Sequence, residues 1–322
     1  MGEYKPLSGS GVDMAANEFD YIRWIRRQTA MTSGVIVGPG DDCAVLSASS
    51  QATLVTTDML MEGVDFLLAE VDPVAIGRKA MAVNLSDIAA MAGVPTAVVV
   101  SVSLPKHPLG RTTRELAEQL YRGMREVADR FAVPIVGGDT NTWNSGLVIS
   151  VTALGEVTER GAVLRSGAKP GDVIFVTGRV GGSILGRHLA PTPRIREALT
   201  LHQIVNLHAM IDISDGLAAD LNHILTESRC GAILIASSIP IHDDAITLSQ
   251  RTGQTPLLHA LNDGEDFELI FTVSTADAAI LDVQSPVPVY RIGECVTQLG
   301  LWLEENGNHT QITPAGWIHE MT

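Results

Sequence analysis

The sequence has few positively charged residues for its length. Its 322 residues include 22 Lys and Arg against 37 Asp and Glu, only four of the basic residues are lysines, and the formal charge is −15. Nucleic acids are bound through clustered Lys and Arg, so this balance argues against a nucleic-acid partner. If so acidic a chain binds a polyphosphate, divalent cations must offset the repulsion between carboxylates and phosphates.

Cysteine and long apolar runs are also scarce. Cys43, Cys230 and Cys295 are widely spaced and form no CxxC pair, so we expect reduced structural thiols rather than a zinc site or a redox couple. The apolar run from Ala97 to Val102 has the length of a strand, far below the roughly 18 residues that a membrane span needs. The first residues lack the apolar core of a signal peptide, so we expect a cytoplasmic protein without a membrane partner.

Two common catalytic signatures are missing. The sequence contains no GxxxxGK[ST] phosphate loop and no HExxH zinc helix. A glycine-rich run from Gly178 to Gly186 has two interpretations, since it could lead a phosphate to a helix N-terminus or form a tight turn between a strand and a helix.

The length predicts two domains, because single cores stop growing at about 250 to 300 residues. We expect a loose tail over residues 1–16, an N-terminal α/β domain over 17–160 and a C-terminal α/β domain over 161–322, with a crossover from Arg165 to Asp172. Predicted strands in the first domain are Thr53 to Thr57, Ala97 to Leu104, Pro134 to Val136 and Leu147 to Leu154. Predicted helices are Val74 to Ala92, Thr112 to Phe131 and, in the second domain, Leu217 to Leu225.

Aspartates recur at places where strands are expected to end, and ligands of open α/β sheets bind at such ends. The residues concerned are Asp41, Asp42, Asp58, Asp139, Asp212 and Asp215. Asp87 differs from them, because it lies with Asn84 inside an apolar helix, where a carboxylate is costly. Hard oxygen ligands of this kind, with the hydroxyls of Thr56 and Thr57 beside them, are typical of Mg²⁺ and not of zinc.

Each aspartate at a strand end also has a simpler interpretation. An aspartate before glycine is a common turn residue, and Asp215 could cap the helix that begins at Leu217. A mid-helix carboxylate such as Asp87 serves neither purpose. Several aspartate-bearing strand ends in one chain therefore favour a shared metal site.

Eight motifs in sequence order are similar to those of the thiamine-monophosphate kinases, a family of the PurM-like ATP-binding superfamily, over residues 18–318. The motifs are Gly40-Asp-Asp-Cys-Ala-Val-Leu46, Thr56-Thr-Asp-Met-Leu-Met-Glu-Gly-Val-Asp-Phe66, Ala82-Val-Asn-Leu-Ser-Asp87, Gly137-Gly-Asp-Thr140, Arg165-Ser-Gly-Ala-Lys-Pro-Gly-Asp172, Met210-Ile-Asp-Ile-Ser-Asp-Gly-Leu217, Asp263-Gly-Glu-Asp-Phe-Glu-Leu269 and Pro314-Ala-Gly-Trp317.

The resemblance implies a role for each matching residue. Several magnesium ions would be held by Asp42, Thr56, Thr57, Asp58, Asp87, Asp139, Asp212 and Asp215. The nucleotide would contact Tyr121, Gly138, Asp139, Arg165 and Ser214. The second substrate would contact Asp65, Glu265 and Trp317. Catalysis would depend on Asp58, Asp87, Asp139, Asp212 and Arg165. Asp65 and Asp263 depart from the family pattern, which has His and Gly at those positions in many relatives.

The resemblance also implies an enzyme that phosphorylates thiamine monophosphate to thiamine diphosphate, with ATP as co-substrate and Mg²⁺. The acceptor is a phosphate that is already anionic at neutral pH, so no strong general base is needed and we expect direct in-line transfer. The implied assembly is a homodimer in which the first-domain sheets close into a barrel. The alternatives are another ATP-dependent enzyme of the superfamily, similar to aminoimidazole ribonucleotide synthetase, and a non-catalytic nucleotide or metal sensor.

Overall fold

The computed structural model describes residues 24, 25, 27, 28, 34–37, 45–47, 49 and 51–316. Two large sheets dominate this part of the chain, one within residues 53–156 and the other within residues 173–312. We call them the first sheet and the second sheet. The predicted tail lies outside the described residues, as do Asp41, Asp42, Cys43 and Trp317.

The first sheet has two helices on one face. Its strands are β3 (Thr53–Met61), β4 (Val94–Pro105), β5 (Ile135–Trp143) and β6 (Val148–Glu156), preceded by a separate antiparallel pair, β1 (Val35–Val37) and β2 (Val45–Leu46). The order is β3-β6-β4-β5, in which β4 and β5 are parallel and β6 is antiparallel to both of its neighbours. The helices are α1 (Pro73–Ala90) and α2 (Thr113–Arg130).

Local sequence explains where the two helices begin and how closely they cross. Asp72 accepts a hydrogen bond from the backbone N–H of Val74, and Thr112 forms a reciprocal capping box with Glu115. A Cβ atom on Gly77 would lie 2.1 Å from the carbonyl oxygen of Leu120, so only glycine allows α1 and α2 to approach so closely.

The second sheet has seven strands in a mainly antiparallel arrangement. They are β7 (Val173–Val176), β8 (Leu207–Asp212), β9 (Gly231–Ile235), β10 (Leu269–Val273), β11 (Tyr290–Val296), β12 (Gly300–Glu305) and β13 (Asn308–Ile312). The order is β13-β12-β9-β11-β7-β10-β8, and β12 with β9 is the parallel pair. Its helices are α3 (Ile195–Ile204), α4 (Leu217–Ser228), α5 (Asp243–Thr252), α6 (Pro256–Asn262) and α7 (Thr275–Gln284).

One apolar core runs from the first sheet into the second. Leu85 and Ile88 of α1 belong to the same buried cluster as Phe175 of β7 and Phe271 of β10, whose rings stack with centroids 5.5 Å apart. A large apolar junction of this kind resists relative motion of the two sheets. Helix α1 therefore has a fixed position between them. Among the described helices, none is long and apolar enough to cross a membrane.

The mixed α/β organisation that the sequence predicts is confirmed, and the predicted helices match α1, α2 and α4 to within a few residues. The predicted strand ends are partly wrong. β3 continues to Met61 and β5 to Trp143, so Asp58 and Asp139 lie inside strands because their pairing with neighbouring strands persists. Asp212 is the last residue of β8, as expected. Within the described residues neither large sheet closes on itself.

Candidate active site

The site begins where β3 passes helix α1. Side chains alternate along a strand, so Thr56 and Asp58 lie on the same face of β3, toward α1. The hydroxyl of Thr56 donates a hydrogen bond of 2.5 Å to Oδ2 of Asp87, and the backbone N–H of Asp58 donates one of 3.0 Å to Oδ1 of Asn84. Asn84 and Asp87 of α1 thus hold Thr56 and Asp58 of β3 in position.

The second sheet contributes Asp212 to the same place. Asp212 is buried, and its Oδ2 accepts a hydrogen bond of 2.5 Å from the hydroxyl of Ser86, the residue that precedes Asp87 on α1. Asp58, Asp87 and Asp212, which we call the three-aspartate cluster, therefore meet at the junction of the two sheets. The sequence motifs predict this meeting, and the structure brings these three residues together as expected.

Burial and mutual repulsion disfavour ionisation of the three-aspartate cluster. Burial, followed by the charges of Asp87 and Asp65, raises the pKa of Asp58 from 3.8 to about 6. Burial and the charge of Asp87 raise the pKa of Asp212 to about 8. Burial also raises the pKa of Asp87, although the hydrogen bond from Thr56 and the charge of Arg165 oppose that rise.

The chemistry of this donor set fits a hard divalent cation. Carboxylates that repel one another inside a protein are stabilised when a cation lies between them, and the donors are all oxygen atoms, as Mg²⁺ requires. The Thr56 hydroxyl lies beside Asp87 and adds a further oxygen. No cysteine lines either of the two cavities that border the cluster.

The cluster separates these two cavities. Cavity 1 has a volume of about 640 Å³ and is lined by all three aspartates together with Asp65 and Glu265. Cavity 2 has a volume of about 490 Å³ and is lined by Thr56, Asp87, Arg165 and Asp212. Both volumes suit a small ligand. Since Asp87 and Asp212 border both cavities, ligands in the two would approach each other at these carboxylates.

The loop after β8 adds Ser214 and Asp215 to the wall of cavity 1. Asp215 does not cap α4, because the residue at the cap is Gly216 and no side chain bonds the helix end there. Instead the buried carboxylate of Asp220 accepts the backbone N–H groups of Asp215 and Gly216 at 2.9 and 3.0 Å. Asp220 therefore holds the loop in shape, a role that the sequence analysis missed.

The predicted substrate residues Asp65 and Glu265 also face cavity 1. Glu265 has a left-handed backbone (φ 62°), which is strained for a residue other than glycine and is typical of functional loops. Its carboxylate lies 2.5 Å from the ammonium group of Lys79, a buried residue of α1 that the sequence analysis also missed. Trp317 lies outside the described residues, but its neighbour Gly316 lines cavity 1.

Thr57, Gly138 and Asp139 are not brought to the cluster by this chain. Thr57 lies on the opposite face of β3, where its hydroxyl donates to the carbonyl of Val151. Strand pairing aligns Asp139 with Ser101 and so with Met59, on the same face as Thr57. Gly138 has a structural reason to be glycine, because a Cβ atom there would lie 1.9 Å from the carbonyl oxygen of Val100.

Two further predicted residues have different surroundings. Tyr121 is buried in the core on α2, edge-on to Trp24 with ring centroids 5.3 Å apart, and lines neither cavity. Arg165 lines cavity 2 and its charge acts on Asp87. Asp42 lies outside the described residues.

One side of helix α1 carries several residues of the site, and some of them were not predicted. Lys79, Val83, Ser86 and Asp87 lie at i, i+4, i+7 and i+8 of α1, so they form one stripe on the helix. Each of them contacts the loops or strands that line cavity 1 or forms its wall. The interior charge at Lys79 was a visible signal, since lysine inside an apolar helix needs a partner.

Comparisons with known proteins identify the family. Residues 40–157 match the family model "AIR synthase related protein, N-terminal domain", and residues 169–301 match the model for the C-terminal domain. The thiamine-monophosphate kinase of Rhodopirellula baltica is 42% identical over 315 residues, covering 95% of this chain and 98% of the relative. The enzyme of the same name from Bacillus subtilis is 36% identical, covering 86% of this chain and 90% of the relative.

Solved structures give the same result. The crystal structure of thiamine-monophosphate kinase from Stenotrophomonas maltophilia aligns with a TM-score of 0.77 at 32% identity, covering 91% of this chain and 98% of that one. AaThiL complexed with AMPPCP and TMP aligns with a TM-score of 0.74 at 29% identity, covering 94% of this chain and 97% of that one. The chain belongs to the thiamine-monophosphate kinase family, within the AIR synthase related proteins.

Proposed function

We propose that this chain transfers the γ-phosphoryl group of ATP to the phosphate of thiamine monophosphate and so produces thiamine diphosphate. The observation that carries the proposal is the position of Asp87 and Asp212 on the wall shared by cavities 1 and 2. Phosphoryl transfer from ATP to a phosphate requires two phosphorylated ligands to meet at one point, and this wall is such a point. Relatives over nearly the whole chain are thiamine-monophosphate kinases, and AaThiL is complexed with AMPPCP and TMP.

Each cavity suits one substrate. Cavity 1 carries the carboxylates of Asp65 and Glu265, which complement the positively charged thiazolium ring of thiamine. Cavity 2 carries Arg165, whose guanidinium group suits a phosphate chain. We assign thiamine monophosphate to cavity 1 and the ATP phosphates to cavity 2. The acceptor phosphate then lies beside the three-aspartate cluster.

The residues proposed to hold Mg²⁺ are Asp58, Asp87, Asp212 and Asp215, with Thr56 beside them. Bound Mg²⁺ would offset the negative charge of both phosphates and of the carboxylates. Ser86 and Asn84 orient this donor set from α1. The remaining predicted roles stay proposals, and the described part of one chain shows no contact of these residues with the cluster. They are the roles of Tyr121, Gly138, Asp139, Thr57, Asp42 and Trp317.

Direct in-line transfer follows from the nature of the acceptor. A phosphate monoester has a second pKa of about 6, so at neutral pH its oxygen attacks without a general base. Neither cavity is lined by a lysine, and His188 and His223 are the only histidines that line them. Positioning by the carboxylates and Arg165 is therefore the main contribution of the protein.

We further propose a homodimer in which two copies of the first sheet meet. One face of this sheet exposes Val55 (65%), Met59 (57%) and Met61 (41%), and we call it the exposed sheet face, with Thr57, Ser101 and Asp139 in it. Both edge strands, β3 and β5, lack a second neighbour within the described residues, as closure of a barrel with a partner requires. Thr57 and Asp139 would then face the partner copy. We also propose a cytoplasmic location, because the reaction consumes ATP.

The test is product formation. The protein is incubated with Mg-ATP and thiamine monophosphate, and thiamine diphosphate is measured by chromatography, with reactions lacking either substrate as controls. With γ-labelled ATP, we expect label in thiamine diphosphate and none on the protein. Tight ATP binding without product would favour a sensor instead, and a labelled protein that passes its label on would contradict direct transfer.

A further inference from the structure

Lys79 is a buried charged residue to which the proposed reaction assigns no role. It lies on α1, and its side chain is 1% exposed, so the ammonium group has lost nearly all of its water. Burial of a charge is costly unless good partners replace that water. The partners of Lys79 therefore indicate why the charge is there.

Both partners of Lys79 belong to segments that line cavity 1. Its Nζ lies 2.5 Å from Oε1 of Glu265 and donates a hydrogen bond of 3.1 Å to the backbone carbonyl of Asp65. Glu265 belongs to a loop of the second sheet, whereas Asp65 follows β3 of the first sheet. One buried ammonium thus connects the two segments that carry the carboxylates facing the ligand.

Several contacts hold the loop of Glu265, and Lys79 holds the carboxylate of Glu265 itself. The backbone of Glu265 is left-handed, and so is that of Phe267 (φ 51°), which indicates a loop held by its surroundings. The carboxylates of Asp266 and Asp263 in the same loop accept the backbone N–H groups of Gly181 and Gly182 at 2.6 and 2.8 Å, and the N–H of Glu265 donates to the carbonyl of Ser214 at 2.8 Å. Among the described residues, Lys79 is the one that bonds the carboxylate of Glu265.

The side chain of Asp65 is fixed from its own segment. Its Oδ2 accepts the backbone N–H of Met61 at 2.7 Å, so the direction of the carboxylate depends on the shape of the turn. Lys79 bonds the carbonyl of the same residue. A change at Lys79 would therefore disturb both carboxylates, whereas Arg165 lines the other cavity.

We infer that Lys79 is a positioning residue for the cationic substrate, because its ammonium group holds Glu265 and Asp65 so that both carboxylates face the thiazolium-bearing part of thiamine monophosphate. The inference rests on the proposed function and adds a residue that does not touch the substrate. It assigns Lys79 to the binding of thiamine monophosphate and not to that of ATP.

The decisive variant is Lys79→Met, which keeps the length of the side chain and removes the charge. Loss of the ammonium group leaves Glu265 without its ion-pair partner, but the Glu265 side chain is 34% exposed and water can solvate it, so the melting temperature should fall only slightly. KM for thiamine monophosphate should rise by about tenfold or more, while KM for ATP stays within about twofold. A merely structural role would change both KM values together.

Glu265→Gln gives the complementary test. The amide oxygen can still accept from Lys79, but the ammonium group loses its counter-charge, so the melting temperature should fall and KM for thiamine monophosphate should rise. The double variant Lys79→Met/Glu265→Gln should regain stability, and its KM for thiamine monophosphate should be no higher than that of the worse single variant, because both changes break one connection. It also provides the kinetic test if Lys79→Met alone does not fold.

Lys106→Met is the matched control, since Lys106 is exposed and lines neither cavity. Wild-type protein and this control should form thiamine diphosphate with equal KM values. If both are active while Lys79→Met keeps a normal KM for thiamine monophosphate, the inference is wrong and the proposed function stands. If the wild-type protein forms no thiamine diphosphate, the proposed function fails and the inference fails with it.

Discussion

The hydroxyl of Ser86 donates a hydrogen bond of 2.5 Å to Oδ2 of Asp212, and this bond connects helix α1 on the first sheet to strand β8 of the second. Ser86 is fully buried and precedes Asp87. Helix α1, which carries Asp87, therefore also sets the position of the Asp212 carboxylate. The three-aspartate cluster depends on this contact between the sheets.

Ser86→Ala tests that dependence. The hydrogen bond favours the ionised form of Asp212 and lowers its pKa, so its loss should raise that pKa further and weaken metal binding. Hydrogen bonds to charged groups contribute about 1.5–3 kcal/mol, so we expect roughly a tenfold or greater increase in the Mg²⁺ concentration for half-maximal activity. Ser237→Ala, at an exposed position, is the control. An unchanged Mg²⁺ dependence would contradict the assigned role.

Asp87→Asn should abolish turnover, because the residue borders both cavities and an amide cannot replace the charge of a carboxylate toward a cation. Asp58→Asn should do the same. We expect losses of about a hundredfold or more in kcat, measured as thiamine diphosphate formed at saturating substrates. Circular dichroism should show an intact fold. Asp282→Asn, at an exposed position on α7, should retain normal rates, and near-normal rates in either cluster variant would place the site elsewhere.

The sequence predicts those parts of the site whose residues lie close together in the chain. Thr56 and Asp58 lie two residues apart in a strand, so their shared face follows from the sequence. Asp87 was recognisable because a carboxylate inside an apolar helix needs a purpose. The contact of these residues with Asp212 depends on the packing of two sheets, which no local pattern encodes. It is predicted from the recurrence of aspartates at strand ends and from the family resemblance.

The wrong expectations also have a physical origin. The strand ends at Asp58 and Asp139 were placed where the apolar pattern stops, but pairing with β6 and β4 continues the strands past that point. As a result Asp139 and Thr57 lie on a different face of the first sheet from Asp58. Lys79 and Asp220 were missed because each has its partners in a distant or tightly folded loop.

The stability of the metal-free protein should depend on pH in an unusual direction. Because the pKa of Asp58 is raised to about 6 and that of Asp212 to about 8, the folded state binds protons more tightly than the unfolded state, in which both are near 3.8. Stability is therefore greatest at low pH within this window and falls as pH rises through the folded values. Between pH 6 and pH 9 we expect the melting temperature to fall by on the order of 5 °C.

The controls for this pH prediction separate the cluster from other groups. Asp212→Asn should flatten the slope, since an amide does not titrate, and should raise the melting temperature at pH 9. Millimolar Mg²⁺ should oppose the fall in wild-type protein, because a bound cation favours the ionised carboxylates. A metal-free wild-type protein that becomes more stable between pH 6 and pH 9 would show that these carboxylates ionise freely.

The exposed sheet face makes a prediction about assembly. Ser101 lies on β4 in the interior of that face, in register with Met59 through β6 and with Asp139 on β5. In a dimer that joins two copies of this face, Ser101→Arg would bury a large charge in the interface. We expect the variant to elute as a monomer in size-exclusion chromatography with light scattering, whereas wild-type protein elutes as a dimer.

The same substitution at Ser237, which is exposed in the part of the chain that forms the second sheet, is the matched control and should leave the dimer intact. If Thr57 and Asp139 act on ligands across the interface, the monomeric variant should also lose at least tenfold in kcat/KM, although Ser101 lines neither cavity. A wild-type protein that is monomeric at high concentration and fully active would mean that one chain holds the complete site. In that case the predicted ligand roles of Thr57 and Asp139 would have to be abandoned, because the strand register places both residues on the face opposite Asp58.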